Sequence, residues 1–208
     1  MASLYFKYAA MNSGKSTQLL QVHYNYYERG MTAFAFTAKL DNRAGSGNIS
    51  ARIGLKLPAD TYDQNTDLFE TVKQAQADGD IHVVLIDEAQ FLNETQVLQA
   101  AAIVDDLKIP VMAYGLKTDF MGKLFEGSEA LLRFADNLEE IKTICWCGKK
   151  ATQTARIDET GKVVREGDQI SIGGNDKYIS LCRKHYLKGV SKPMLDAEEI
   201  EIRRERVA

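Results

Sequence analysis

Two kinds of hydrophobic pattern alternate along most of the chain. Short β-prone runs of apolar residues are followed by segments in which apolar residues recur every three or four positions. Leu4 to Tyr8 is the first such run. A loop ending in Gly14-Lys15-Ser16-Thr17 follows it. Leu19, Leu20, His23, Tyr26 and Tyr27 then recur at helical spacing, and Gly30 ends the pattern as a C-terminal cap would. Ala33 to Thr37 predicts a second strand, Asp41 to Ser50 a loop, and Thr66 to Ala77 a helix. Ile81 to Ile86 is almost continuously apolar, as expected of a strand covered on both faces. Glu94 to Leu107 predicts another helix, with Val97, Leu98, Ala101 and Val104 on one side, and Ile109 to Tyr114 another strand. Strand and helix in alternation predict an α/β fold with a mainly parallel sheet.

The pattern changes near residue 141. From Cys145-Trp146-Cys147-Gly148 onward the chain has β-prone pieces and paired glycines but no clear helix, and this stretch closes at Cys182-Arg183-Lys184-His185. The expected organisation is a nucleotide-binding α/β domain over residues 1–140, a small second domain over 141–186 and a charged tail over 187–208. The chain has 208 residues, enough for such a core and a small appendage. Its net charge of -3 disfavours non-specific nucleic-acid binding, which needs a basic face. No long apolar run predicts a membrane span, and the N-terminal residues do not read as a signal peptide, so a cytoplasmic location is expected. Three cysteines suit a disulfide framework poorly. Clustered in a reducing compartment, they suit a metal.

Ala9-Ala10-Met11-Asn12-Ser13-Gly14-Lys15-Ser16 nearly matches the phosphate-binding pattern G-x-x-x-x-G-K-[ST], with Ala9 in place of the first glycine. Its place between a strand and a helix is the context the motif requires. Backbone N–H groups and the helix N-terminus would hold the phosphates. Lys15 would neutralise them, and the Ser16 hydroxyl would bind Mg²⁺. Asp87 and Glu88 end the buried apolar run, at the sheet edge that faces ligands in open α/β folds. There Asp87 can hold Mg²⁺ and Glu88 can accept a proton from an attacking hydroxyl. The bland reading, two solvated acids at a strand end, gives way because the phosphate motif lies upstream.

Cys145, Cys147, Cys182 and His185 form the donor set of a structural Zn²⁺ site, with a C-x-C spacing tighter than usual. Four protein ligands leave no open position, so the metal would be structural. Within the loop it closes lies Ile170-Ser171-Ile172-Gly173-Gly174-Asn175-Asp176-Lys177-Tyr178. Spacing alone leaves two readings open here: backbone approaching a ligand, or a hairpin turn with a packed tyrosine.

Taken in order, Met11 to Thr17, Asp87 to Phe91, Lys117-Thr118-Asp119-Phe120, Cys145-x-Cys147, Gly173 to Tyr178 and Cys182-x-x-His185 resemble the type II thymidine kinases, and most closely their enterobacterial branch. The resemblance covers Leu4 to Tyr186. It implies a P-loop (RecA-like) sheet with a small zinc-containing lasso domain, and ATP-dependent phosphorylation of the 5′-hydroxyl of thymidine to dTMP. It places ATP on Ala9 to Ser16, with Asp87, Glu88, Ala89 and Gln90 alongside and Asp41, Asn42 and Arg43 near the phosphates. It makes Glu88 the general base and puts Phe120 against the thymine ring. Thr154 lies near the base, and Gln169, Ile170, Ser171, Ile172, Gly173 and Tyr178 belong to the closing lasso. It further implies a homotetramer and feedback inhibition by dTTP. The departures at Ala9 and in the C-x-C spacing both look like features of the enterobacterial branch.

The acidic motif also resembles that of helicases, so a nucleic-acid-stimulated P-loop ATPase is the main alternative. It would need a second motor domain and a basic track, and neither is evident in the sequence. A zinc-ribbon binding module with a degenerate nucleotide domain would predict the loss of Lys15 or Asp87, and both are present. Another nucleoside kinase is the remaining reading.

Overall fold

The computed structural model describes residues 2–41, 45, 47–169 and 178–191. Asn42, Arg43, Ile170 to Gly173 and most of the expected tail lie outside the described residues. In chain order the elements are β1 (Leu4–Ala9), α1 (Lys15–Tyr27), β2 (Ala33–Ala38), β3 (Asn48–Ser50), β4 (Lys56–Pro58), β5 (Asp60–Tyr62), α2 (Leu68–Asp78), β6 (Val83–Ile86), α3 (Glu94–Asp105), β7 (Val111–Leu116) and α4 (Glu126–Phe134). They continue with β8 (Asn137–Glu140), β9 (Thr143–Ile144), β10 (Lys150–Ala151), β11 (Gln153–Ile157), β12 (Val163–Val164), β13 (Tyr178–Leu181) and α5 (Arg183–Lys188).

The central sheet has six strands in the order β5-β2-β6-β7-β1-β8, and every pairing is parallel. This is the expected α/β architecture. All four residues of β6 are buried, because helices cover both faces of the sheet. Leu68 and Val72 of α2, Val97, Ala100, Ile103 and Val104 of α3, and Ala130 and Leu131 of α4 pack in one core with Phe6, Phe36, Val84 and Ile86. On the opposite face, Leu19 and Leu20 of α1 pack with Ala35, Val83, Leu85 and Tyr114.

Helix starts follow local chemistry. The Asp67 side chain accepts the Glu70 N–H, and Asn93 and Gln96 form a reciprocal capping box on α3. Several expectations change in detail. Leu98 is exposed, and the buried stripe of α3 runs instead through Gln96, Val97, Ala100, Ile103 and Val104. Gln96 is drawn inward because its amide donates to the carbonyls of Asp63 and Thr66. Tyr27 follows the helical period of α1 but is exposed, while Leu19 and Leu20 are buried and Val22 and Tyr26 pack partly against the core. The glycine-rich segment after Asp41 ends in strand β3, which pairs antiparallel with β4. Among the described residues beyond 141 no helix precedes Cys182, as expected, and α5 follows as one short helix.

Small antiparallel sheets, β12-β11-β13 and β10-β9, make up this last part. Their core comprises Cys145, Ala151, Ala155, Ile157, Val163, Leu181, Cys182 and Tyr186. Among the described residues, no helix is long and apolar enough to cross a membrane.

Candidate active site

The site lies at the C-terminal edge of the parallel sheet, where β1 and β6 end with β7 between them. β1 runs straight into the phosphate loop. Ala9 is still strand, paired with Leu116, and its backbone is not in the left-handed region. The position therefore has no conformational need for glycine. Further on the loop does turn through left-handed geometry, at Asn12 (φ 61) and Gly14 (φ 82, ψ 24). Asparagine tolerates that region better than most residues. At Gly14 an added Cβ would meet nothing within 4 Å, so the requirement there is for backbone conformation rather than space.

Lys15, the first residue of α1, is buried despite its charge, and its ammonium group lies close enough to Asp87 to favour the ionised carboxylate. The Ser16 hydroxyl donates to Asp87 at 3.3 Å. Asp87 is itself buried. Burial, and secondarily the adjacent Glu88, push its carboxyl up to about 7, against the opposing pull of Lys15. A hydroxyl, an ammonium and a carboxyl group thus converge at this sheet edge.

Glu88 adopts a left-handed backbone (φ 53, ψ 38), a strained conformation for this residue type. Three contacts hold it. The Tyr62 hydroxyl donates to the Glu88 carbonyl at 2.8 Å, the Phe91 N–H donates to the same carbonyl at 3.0 Å, and the Gln90 amide donates to the Glu88 carboxylate at 2.5 Å. Gln90 is fixed in turn because its amide oxygen accepts the Leu116 N–H at 2.9 Å. Tyr62 stays protonated, and so remains a donor, because burial and the neighbouring acids raise its pKa well above the ordinary tyrosine value. The turn from Ala89 to Leu92 is backed by α4, where Gly127 lies so close that a Cβ would come within 2.6 Å of the Ala89 and Leu92 carbonyl oxygens. Tyr62 and Gly127 were not evident as site residues from sequence, because their roles depend on strands and helices far apart in the chain.

The second cluster is Cys145, Cys147, Cys182 and His185, whose donor atoms all lie within 4.8 Å of one another. The His185 Nδ1 is 3.4 Å from the Cys145 sulfur and 3.5 Å from that of Cys182. Three sulfurs and an imidazole nitrogen at this separation suit a tetrahedral soft-metal site such as zinc. Trp146 stacks on the His185 ring, with centroids 4.3 Å apart and planes 12° apart.

The small unit that carries this cluster and the phosphate loop are physically joined. Met11 N–H donates to the Thr154 hydroxyl at 3.0 Å, and the Ser180 hydroxyl donates to the Met11 carbonyl. Thr154 and Ser180 are register partners on β11 and β13, so one rung of that sheet grips both polar groups of Met11. Thr143 donates to the Asn12 carbonyl at 3.3 Å, and the Asn12 amide donates to the Tyr178 carbonyl at 3.4 Å.

Phe120 is fully buried. The Arg156 guanidinium lies over its ring at 3.9 Å, and the Tyr186 hydroxyl donates to its carbonyl at 2.8 Å. Asp119 accepts the Met121 and Lys123 N–H groups and, at 3.0 Å, the Gln169 amide. Arg156 also donates to the Glu166 and Asp168 carbonyls. Gln169 and Phe120, far apart in sequence, therefore sit in one neighbourhood. Asp41 influences both Tyr62 and Asp87 electrostatically, which puts it on the same side of the site.

A family model for thymidine kinase matches residues 2–186. The chain belongs to the thymidine kinase family. Thymidine kinases similar to it include that of Agrobacterium fabrum, 57% identical over 90% of this chain and 97% of its own length. That of Salmonella paratyphi A is 53% identical over 95% of this chain and 96% of its own, and that of Escherichia coli is 51% identical over the same shares. Enterobacteria thus figure among the relatives of this thymidine kinase family member, in line with the resemblance read from its motifs.

Proposed function

We propose that this chain transfers the γ-phosphoryl group of ATP to the 5′-hydroxyl of thymidine, giving dTMP. The observation that carries the reading is the convergence of Lys15, Ser16, Asp87 and Glu88 at one sheet edge, with Thr154 bonded to the phosphate loop through Met11. Phosphoryl transfer needs alignment and charge neutralisation more than covalent chemistry from the protein. The backbone from Ala9 to Ser16 cradles the phosphates and Lys15 neutralises them. Ser16 and Asp87 are the residues that would hold Mg²⁺, which supplies charge stabilisation to the transferring group when bound. Glu88, fixed by Tyr62 and Gln90, orients the 5′-hydroxyl and takes its proton. Gln90 and Ala89 shape the turn that aims it.

Phe120 stands against the thymine ring, and Thr154, near the base, holds the phosphate loop through Met11. Gln169, Ile170, Ser171, Ile172, Gly173 and Tyr178 act as the segment that closes over the nucleoside and excludes water, limiting wasteful ATP hydrolysis. Asp41 and Arg43 serve the phosphates. Zn²⁺ on Cys145, Cys147, Cys182 and His185 is structural. It fixes the ends of the 141–186 unit, which stands as a domain beside the nucleotide-binding domain of residues 1–140, with 187–208 as a tail. A cytoplasmic homotetramer inhibited by dTTP completes the proposal, on the strength of the family resemblance. The helicase-like alternative is not favoured by family membership.

The test is transfer from labelled ATP, with Mg²⁺, to thymidine, deoxyuridine, deoxycytidine and deoxyadenosine, with Glu88→Gln in parallel. Expected are strong labelling of thymidine, weaker labelling of deoxyuridine, and a loss of about a hundredfold or more in the variant. ATP hydrolysis stimulated by DNA or RNA, without nucleoside labelling, would refute the proposal.

A further inference from the structure

The β3–β4 hairpin carries a cation to the mouth of the phosphate loop. It is anchored: Ile49 of β3 and Ala51 just beyond it are buried and pack in the core that contains Leu19 and Leu20 of α1. Its tip is closed by the Ala51 N–H donating to the Leu55 carbonyl at 2.9 Å and the Gly54 N–H donating to the Ala51 carbonyl at 3.0 Å. Gly54 supplies the left-handed turn (φ 89). Arg52, at this tip, is exposed, and its guanidinium donates to the Asn12 side-chain oxygen. Asn12 is one of the loop's two left-handed residues, three positions before Lys15. Its own amide nitrogen and carbonyl are engaged by Tyr178 and Thr143. The contact therefore places a planar, permanently charged fork against the loop that precedes Lys15.

We propose that Arg52 is a catalytic residue of the kinase reaction, an arginine finger supplied in cis that shifts from the Asn12 amide onto the γ-phosphoryl oxygens. This rests on the kinase reading above. The Arg52–Asn12 bond has one ionised partner, whereas a guanidinium on phosphate has two and can engage two oxygens at once, so bound ATP outcompetes Asn12 for the guanidinium. In the transfer, the bond between the γ-phosphorus and the bridging oxygen breaks, and its electron pair leaves with ADP. The 5′-oxygen forms the new bond to phosphorus, and its proton passes to Glu88. Arg52 takes no part in the covalent change. It neutralises charge spread over the three equatorial oxygens, which Lys15 alone meets from one side.

The test compares wild type, Arg52→Gln, Arg52→Lys, Asn12→Ala and the Arg52→Gln/Asn12→Ala double variant. It measures kcat, thymidine KM, and equilibrium binding of ATP and ADP. Arg52→Gln is expected to lower kcat by about a hundredfold or more, leave the thymidine KM unchanged, and weaken ATP more than ADP. Arg52→Lys should recover part of kcat, and the double variant should be no better than Arg52→Gln. Wild-type kcat in Arg52→Gln overturns the proposal. So does an Asn12→Ala variant that reproduces the whole loss with ATP and ADP weakened equally, since Arg52 would then act only by shaping the loop. If wild type labels no thymidine, the kinase reading fails, and the ATP-over-ADP binding difference still decides whether Arg52 meets the terminal phosphate.

Discussion

Gly127→Ala sets two opposing effects against each other on the turn that aims Glu88. Alanine is the better helix former, and at an exposed helical position the change would stabilise by about 0.5–1 kcal/mol. At Gly127 the new Cβ would sit 2.6 Å from both the Ala89 and Leu92 carbonyl oxygens and 3.1 Å from that of Gln90. These are backbone atoms, so no flexible side chain can swing away. Either α4 or the turn must shift by a sizeable fraction of an ångström. Overpacking of this kind costs typically about 1–3 kcal/mol, and two simultaneous backbone overlaps place it toward the upper end. The clash therefore outweighs the propensity gain, for a net loss of about 1–2 kcal/mol, or a Tm lowered by roughly 2–8 °C for a chain of this size. The turn also carries Gln90, whose amide holds the Glu88 carboxylate, and misplacement by about an ångström can cost on the order of a hundredfold in rate. Differential scanning calorimetry and steady-state kinetics on the purified variant measure both quantities. A Tm equal to or above wild type, with unchanged kcat, would show that α4 does not press on the turn and would refute the reasoning.

Three further outcomes are expected. Because the Asp87 carboxyl is raised from 3.8 to about 7, the folded chain binds more protons than the unfolded chain between those values, and this group lowers stability as pH rises through that window. Asp87→Asn should therefore abolish transfer while stabilising the fold more at pH 8 than at pH 5, by on the order of 1–4 kcal/mol, seen as a larger rise in Tm at pH 8; an equal shift at both pH values would contradict this. Removing bound metal with a chelator should shift the emission of the chain's single tryptophan, Trp146, as its stack on His185 loosens. Activity should fall in parallel, because Thr154 and Ser180 then release Met11; an unchanged spectrum after complete metal loss would disprove the link. Phe120→Leu should raise the thymidine KM roughly fivefold through about 1 kcal/mol of lost ring contact, leaving the ATP KM unchanged. An ATP effect of the same size would show that Phe120 faces the nucleotide instead.

Local patterns carried much of this molecule. The continuous apolar run of β6 announced a strand buried on both faces because burial acts on each residue separately. Gly14-Lys15-Ser16 and Asp87-Glu88 pointed to phosphate chemistry from the sequence because phosphate binding needs a glycine turn, a cation and acids at strand ends, and the fold brings Ser16 and Asp87 into contact. The three cysteines and His185 were legible because metal donors from two short motifs are a compact signal. Tertiary structure alone decided that Tyr62 holds the strained Glu88, that Gly127 backs the turn, that Thr154 and Ser180 grip Met11, and that Arg52 reaches Asn12. Each of these contacts joins residues well separated in sequence, and no periodicity or spacing encodes which surfaces meet. Ala9 shows both sides: the motif alone marks it as a missing glycine, while the strand geometry at that position shows why alanine serves. The sequence by itself determined which chemical groups were available, because residue type sets charge, donor capacity and backbone freedom. Their distances and burial came only from packing the parallel sheet, its helices and the cysteine-clustered unit against one another.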